Sequence, residues 1–109
     1  MTKDKGIKSI PIQLRPRETV VYVFYDVEED KTRAQVANIC KNYGLERIQF
    51  SGFLGTLSPN MREELHLKLS KTLGRKHGRI LLQPVCEKDF KNSIEILNLA
   101  GEANAAEGQ

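Results

Sequence analysis

The sequence has few of the cysteines and histidines on which zinc sites and many enzyme active sites depend. Its 109 residues include two cysteines, two histidines and no tryptophan. Cys40 and Cys86 lack CxxC spacing and a nearby histidine set, which argues against a zinc site. His66 and His77 belong to no His–Cys–Asp array, so histidine-based catalysis is not indicated. A GxGxxG motif and a Walker-type loop are also missing, so no nucleotide cofactor is expected.

Long apolar runs are absent as well. The amino terminus has no apolar signal-peptide core, and no segment approaches the roughly 20 apolar residues that a membrane helix needs. We therefore expect no membrane span. We therefore expect the protein to be cytoplasmic, in a reducing compartment where its two cysteines stay reduced.

Acidic residues are missing from one part of the chain. The overall formal charge is only 17 − 14 = +3, but no acid occurs between Leu65 and Cys86. The basic residues of that interval are Lys68, Lys71, Arg75, Lys76 and Arg79, with His77 among them. Two interpretations are open: a solvated helix end and loop, where cations suit the helix dipole, or a phosphate-binding patch.

The most informative segment is residues 20–26, VVYVFYD. Its β-branched and aromatic side chains are apolar at both parities, which predicts a central strand covered on both faces. The run ends on Asp26, and three more acids follow within four positions. We therefore expect the Asp26 carboxylate to lie at the rim of a core, in a position suited to a metal or phosphate site.

The remaining elements follow from periodicity and from the residues that end helices. A helix is predicted from Asp30, its expected N-cap, to Gly44, and a second from Ser58 to Gly74. Further strands are predicted at residues 46–50, 53–57 and 79–85, with a short extra C-terminal strand at 93–97. The order βαββαβ favours an α+β sandwich of the ferredoxin-like type, with both helices on one face of an antiparallel sheet. The other face is then expected to meet another subunit.

The ends of the chain differ in composition from its middle. We predict a basic N-terminal arm at residues 1–18, a ferredoxin-like domain at 19–98 and a disordered tail at 99–109.

Several motifs together carry a family resemblance. They are FYDV at 24–27, DKTR at 30–33, YGLERIQFS at 43–51, FLGTL at 53–57 and ILLQPVC at 80–86. No single one is specific, but all occur in order between about residues 20 and 97. The chain therefore closely resembles the small CRISPR-associated endonuclease family, the partner of the CRISPR spacer integrase.

The resemblance implies a symmetric homodimer packed sheet to sheet, with Asp26 and its symmetry mate facing each other. Two such carboxylates repel unless they are protonated or bridged by a cation, so Mg²⁺, or alternatively Mn²⁺, is expected between them. Asp26 is then both metal ligand and catalytic residue for hydrolysis of a phosphodiester in RNA or DNA. A site of two carboxylates is sparse, so weak metal affinity is expected.

Other positions are matched by motif. Tyr25, Arg33, Arg47 and Phe53 fall where the family places residues that affect nuclease activity or nucleic-acid contact. The planar arginine side chain suits phosphate, but either arginine has the alternative of a surface ion pair with a neighbouring glutamate. Tyr25 and Phe53 have the alternative of packing. Together with the basic patch, the expected nucleic-acid-binding set is Tyr25, Arg33, Arg47, Phe53, Arg75, Lys76 and Arg79.

Departures from the family pattern are few. Gln35 stands where some members have a second arginine, Phe50 where many have tyrosine, and the arm of residues 1–18 is longer than usual. These differences bear on hydrolytic strength more than on family.

Three functions remain open. One is a spacer-acquisition subunit with metal-dependent endonuclease activity. The second is a non-catalytic DNA-bridging scaffold for the integrase, which contacts backbone phosphates without base readout and does not need Asp26. The third is a ferredoxin-like regulatory domain for a small ligand, which is disfavoured because residues 27–30 are acidic and lack the glycine that lets a ligand approach.

Overall fold

The order of strands and helices matches the ferredoxin-like expectation. The computed structural model describes residues 17–98, so most of the predicted arm and the whole predicted tail lie outside the described residues. Its elements are β1 (Thr19–Val27), α1 (Asp30–Asn42), β2 (Glu46–Gln49), β3 (Gly52–Leu57), α2 (Pro59–Leu73), β4 (Gly78–Val85) and α3 (Glu87–Lys91). The four strands form one antiparallel sheet in the order β2-β3-β1-β4.

The central position of β1 is confirmed. It pairs with β3 on one side and with β4 on the other. Its odd-numbered residues from Val21 to Val27 face the helices and join the main core. The other members of that core are Val36, Ala37, Cys40, Leu45, Phe53, Leu57, Leu65 and Leu69.

The opposite face of the sheet, which we call the outer face, is also apolar. Val20 and Leu54 are fully buried there. Tyr22 and Phe24 are half-buried and stack on each other with ring centroids 5.6 Å apart. β1 is therefore apolar on both sides, as its sequence predicted.

The two long helices start differently, since a side chain caps α2 but not α1. Ser58 caps α2, where its hydroxyl accepts a hydrogen bond from the Met61 amide at 3.2 Å and Pro59 opens the first turn. At α1 the expected cap was wrong by one residue, because Glu29 holds the N-cap position and Asp30 begins the helix. Glu29 accepts a hydrogen bond from the Thr32 hydroxyl instead.

The predicted extra C-terminal strand is wrong for the described chain. Residues 93–98 have no regular structure, and the short helix α3 precedes them. The Cys86 sulfur accepts a hydrogen bond from the Asp89 amide at 3.5 Å, which starts this helix. Ile94 and Ile96 alternate as in a strand, but they are 88% and 93% exposed. A strand needs a paired neighbour, and these residues pair with no edge among residues 17–98.

The helices within residues 17–98 are all too short or too polar to span a bilayer. This agrees with the absence of long apolar runs in the sequence.

Leu65 and Leu67 provide a matched test of the core, since they lie two positions apart on α2. Leu65 is fully buried and Leu67 is 59% exposed. We expect Leu65→Ala to lower the free energy of unfolding by about 2–5 kcal/mol, because it leaves a cavity. Leu67→Ala should change it by less than about 0.5 kcal/mol. Urea unfolding at one fixed protein concentration measures both, and equal losses would contradict this core.

The two cysteines should differ in reactivity. Burial raises the pKa of the Cys40 thiol to about 12, whereas Cys86 is exposed. At neutral pH iodoacetamide should therefore label Cys86 on the order of 1,000-fold faster than Cys40, as read by mass spectrometry. A Cys86→Ser control should stay unlabelled until the protein is unfolded. The Cys40 thiol ionises at a lower pH in the unfolded protein than in the folded protein. The contribution of Cys40 to stability should therefore fall as pH rises above the ordinary thiol pKa. Equally rapid native labelling of both thiols would contradict the burial of Cys40.

Candidate functional site

Asp26 lies on the outer face where burial of β1 ends. Side chains alternate along a strand, so Asp26 shares its face with Tyr22 and Phe24, and it is exposed. The residue directly opposite Asp26 on β4 is Arg79, which is also exposed. Opposite charges at such a cross-strand pair attract. Of the predicted nucleic-acid-binding residues, Arg79 is the one that strand register places beside the carboxylate.

Gly78 allows β4 to approach this end of β1 closely. A Cβ atom built on Gly78 would lie 2.9 Å from the Asp26 carbonyl oxygen and 3.1 Å from the Val27 Cα. The neighbouring Glu28 amide donates a hydrogen bond to the His77 carbonyl at 3.4 Å. The turn between α2 and β4 is therefore attached to the chain that follows Asp26.

The same contact brings part of the predicted basic patch to this end of the sheet. The ammonium of Lys76 lies 4.0 Å from a carboxylate oxygen of Glu29. Arg75 is its exposed neighbour in the turn. Arg75, Lys76 and Arg79 thus lie in or directly after the segment that packs beside the Asp26 turn.

The donor set at Asp26 is sparse in one chain. Residues 17–98 contain no group of three or more His, Cys, Asp or Glu side chains that could hold a metal ion. Two of the acids that follow have partners, since Glu29 contacts Thr32 and Lys76 and Asp30 contacts Arg33. Mg²⁺ commonly binds through one or two carboxylates and keeps several waters. Asp26 can therefore supply one carboxylate of such a site.

Arg33 holds the turn after Asp26 in place. One terminal nitrogen of its guanidinium donates to the Val27 carbonyl at 2.9 Å and to the Glu28 carbonyl at 3.4 Å. The other nitrogen pairs with the Asp30 carboxylate. The side chain is only 30% exposed. Pairing with a neighbouring acid, one of the alternatives open from the sequence, is therefore present, although the acid is an aspartate.

Tyr25, Phe53 and Arg47 come together on the helix-facing side. Tyr25 is almost fully buried and Phe53 completely so, and their rings stack with centroids 6.2 Å apart. The Arg47 guanidinium carbon lies 5.0 Å from the Phe53 ring centroid, within cation–π range. Burial raises the pKa of the Tyr25 phenol above its ordinary value, although Arg47 and Arg33 oppose the shift.

The predicted site residues are thus divided between two faces of the sheet. Asp26 and Arg79 lie on the outer face, while the sequence neighbour Tyr25 points into the core with Phe53. The two buried rings have almost no surface to offer a nucleic acid. Their contacts make them a support for Arg47, which is exposed.

Phe50 is a residue that the sequence analysis did not include in the site. It was expected at the end of a strand, but the structure places it in the turn after β2, where its side chain is 74% exposed. The Arg33 guanidinium carbon lies 5.9 Å from its ring centroid. An aromatic directly before Ser51-Gly52 was the sequence signal available for finding it.

The family model for CRISPR associated protein Cas2 matches residues 19–93 of the chain. The chain belongs to the Cas2 family. This membership confirms the resemblance stated from the motifs, and it leaves the small-ligand regulatory hypothesis without support.

Individual relatives agree with the membership. The chain is 46% identical over 79 residues to a CRISPR-associated endoribonuclease Cas2 of Desulforudis audaxviator, covering 72% of this chain and 74% of the relative. It is 36% identical over 76 residues to a Cas1/Cas2 endonuclease fusion of Thermoproteus tenax, covering 70% of this chain and 29% of the fusion. The crystal structure of Streptococcus pyogenes Cas2 at pH 6.5 matches with a TM-score of 0.61 and 26% identity, covering 72% and 99% of the two chains. The ferredoxin-like protomer of this Cas2-family chain is thus shared with a solved Cas2 structure.

The arginine contacts predict a measurable effect on the turn of this Cas2-family protein. Arg33→Ala removes charge-assisted hydrogen bonds worth about 1–2 kcal/mol at such a partly exposed position. Exchange of the Glu28 amide, which is bonded to the His77 carbonyl, should then become about 5- to 30-fold faster, as followed by mass spectrometry. Lys31→Ala is the matched control, because it removes an exposed cation from the same helical turn. Equal acceleration in the two variants would show that charge, and not the contacts of Arg33, holds the turn.

Proposed function

We propose that this Cas2-family protein is a CRISPR spacer-acquisition subunit whose homodimer hydrolyses phosphodiester bonds in RNA or DNA with the help of Mg²⁺ or Mn²⁺. The observation that carries the proposal is the placement of Asp26. It is an exposed carboxylate at the end of the central strand, next to the apolar side chains of Tyr22, Phe24 and Leu81 on the outer face.

The outer face supports a dimer. Tyr22 and Phe24 are half-buried and the neighbouring Leu81 of β4 is 48% exposed. A contiguous apolar patch of this kind is typical of an interaction surface. A second copy that covers the patch about a two-fold axis brings both Asp26 carboxylates to one interface, because Asp26 follows Phe24 on the same face.

Two carboxylates at one interface are stable together when a cation lies between them. A divalent ion held there would supply a water of lowered pKa and would stabilise charge on the phosphodiester. Asp26 provides the ligand, and the Arg33 contacts to the following carbonyls fix the backbone from which it projects. The site is assembled only in the dimer, so metal affinity and nuclease activity should both be weak.

Cations around Asp26 would bind the substrate. Arg79 lies opposite the carboxylate, and Arg75 and Lys76 are exposed in the adjoining turn. Arg47 is exposed on β2, on the other side of β1 from Arg79, where it lies against the Phe53 ring. Arginine binds phosphate through a planar, permanently charged fork. In this proposal Tyr25 and Phe53 act indirectly by supporting Arg47.

The relatives support the activity and the partner. The Desulforudis audaxviator relative is named an endoribonuclease, and the Thermoproteus tenax relative joins Cas1 and Cas2 in one chain. We infer that this protein likewise works beside the spacer integrase, in the cytoplasm. Cys40 and Cys86 are both free thiols, which suits a reducing compartment.

The alternative is a non-catalytic DNA-bridging scaffold for the integrase. It is favoured by one observation, the sparse donor set at Asp26. The same basic residues would then hold the backbone of a duplex, and the carboxylate would be dispensable.

Substitution of Asp26 separates the two functions. We expect Asp26→Asn to lower metal-dependent cleavage of labelled single-stranded RNA or duplex DNA by at least about 100-fold, because it removes a direct metal ligand. Duplex binding should persist, since a negative charge beside the phosphates is lost. Cleavage is measured with Mg²⁺, with Mn²⁺ and with chelator.

The control for that experiment is Glu28→Gln. Glu28 is an exposed acid two positions along the same turn, so this variant tests position against net charge. It should retain activity. Cleavage that survives Asp26→Asn would refute the catalytic role of Asp26. If the parent protein and Asp26→Asn both bind duplex DNA and neither cleaves it, the scaffold is favoured.

A further inference from the structure

We propose that Phe50, flanked by Arg33, is a stacking site for an unpaired nucleobase of the nucleic acid that binds at this end of the sheet. The inference rests on the proposed function in that it assumes a nucleic-acid ligand. It goes further in naming the feature of the ligand that is bound and the residue that binds it.

The Phe50 ring is exposed, and its position is restrained. Phe50 is 74% exposed, although a phenylalanine usually lies in a core. Its backbone is held from within the turn, because the Arg47 guanidinium donates a hydrogen bond to the Phe50 carbonyl. The pairing of β2 with β3 resumes at Gln49 and Gly52 after a register shift, and these paired residues flank the turn of Phe50 and Ser51. The ring is thus presented to solvent from a restrained turn.

A cation lies beside the Phe50 ring. The Arg33 guanidinium carbon lies over the Phe50 ring at 5.9 Å from its centroid, near the outer limit of cation–π contact. Arg33 is itself held by the Val27 carbonyl and the Asp30 carboxylate. A flat aromatic surface next to a fixed positive charge is the arrangement that single-stranded nucleic-acid sites use, with the ring for the base and the cation for the backbone.

Phe50 lies at the same end of the sheet as Asp26. The Tyr25 amide donates a hydrogen bond to the Ser51 carbonyl at 3.1 Å, and Phe24 pairs with Gly52. Phe50 directly precedes Ser51, so its turn lies at the end of the sheet that carries Asp26. A base stacked on Phe50 would therefore hold its strand at the end of the sheet from which the carboxylate projects.

Unpaired bases are preferred for a physical reason. The bases of a duplex are stacked on their neighbours and offer no free face to a protein ring except at an end. Contacts to backbone phosphates, in contrast, are available from a duplex and from a single strand alike. Phe50 should consequently discriminate between the two, whereas the basic residues should not.

Other exposed apolar side chains lack this combination. Met61 and Leu67 lie on α2 and have no aromatic ring, and Leu81 belongs to the outer face that we propose is covered by a second copy. Leu67 therefore serves as the matched control for removing an exposed apolar side chain.

The test is binding of a fluorescein-labelled oligouridylate and of a duplex of the same length, measured by anisotropy with chelator present to prevent cleavage. The variants are Phe50→Ala, Phe50→Leu, which keeps an apolar side chain without a π face, and Phe50→Tyr, which keeps the ring. We expect the first two to weaken single-strand binding by about 5- to 150-fold, the effect of losing one base–aromatic stack of about 1–3 kcal/mol. Duplex affinity should change less than about twofold. Phe50→Tyr and Leu67→Ala should bind both ligands as the parent does.

A second measurement uses the absence of tryptophan from the sequence. In Phe50→Trp the only indole reports on this position, and its fluorescence should be quenched by the oligouridylate but not by the duplex. Unchanged single-strand affinity in Phe50→Ala, equal losses for both ligands, or an indole indifferent to the oligouridylate would each overturn the inference. A Phe50→Ala protein that binds both ligands normally but loses self-association would assign the ring to a protein contact instead.

Failure of this inference is distinguishable from failure of the proposed function. If Asp26→Asn abolishes cleavage while Phe50→Ala binds single strands normally, the nuclease stands without the stacking site. If Phe50 governs single-strand binding but the parent cuts nothing, the stacking site stands without the nuclease.

Discussion

The pairing of β1 on both of its edges is the constraint on which the rest of the structure depends. Its ladders to β3 and β4 satisfy the backbone groups of the strand, and its side chains contribute to apolar packing on both faces of the sheet. A strand held in this way cannot slip by one residue without exchanging its two faces. The backbone at Asp26 is therefore held in place by strand pairing and by the core, although the Asp26 side chain is itself exposed. A carboxylate placed in this way does not depend on a rigid loop for its position.

Much of this arrangement could be predicted from the sequence. The two-sided apolar pattern of residues 20–25 indicated a central strand, and alternation alone implies that Asp26 and Tyr25 point to opposite faces. Placing Tyr25 and Phe53 in the nucleic-acid-binding set overlooked that consequence, although packing was the stated alternative for both. The role of Arg33 could not be predicted, because its bonds reach the carbonyl of a residue six positions earlier and depend on the conformation of the turn. At the C-terminus, Ile94 and Ile96 carried a strand pattern without an edge in the described chain to receive it.

The acids after β1 illustrate how local charge is balanced around the site. Glu29 lies near Lys76 and accepts from Thr32, while Asp30 is paired with Arg33. Pairs this exposed contribute little to stability, but they offset negative charge that would otherwise repel a phosphate backbone. Their arrangement also joins three segments, since the turn after β1, the first turn of α1 and the turn before β4 all take part. The basic patch is therefore attached to the carboxylate end of the sheet by contacts, and not only by proximity in sequence.

The division of side chains between two faces restricts how a ligand can lie. A nucleic-acid strand bound only on the outer face would meet Asp26 and Arg79 but neither Arg47 nor Phe50. That face is also the one that we propose a second copy of the chain covers. A nucleic-acid strand bound only on the helix-facing side would meet no carboxylate of β1. The end of the sheet is the one place where both sets converge, because Tyr25 and Asp26 are adjacent and the Ser51 carbonyl is bonded to the Tyr25 amide. A nucleic acid that engages the arginines and the carboxylate together must therefore pass across this end, with the turn at Phe50 on one side of its path and the turn at Lys76 on the other.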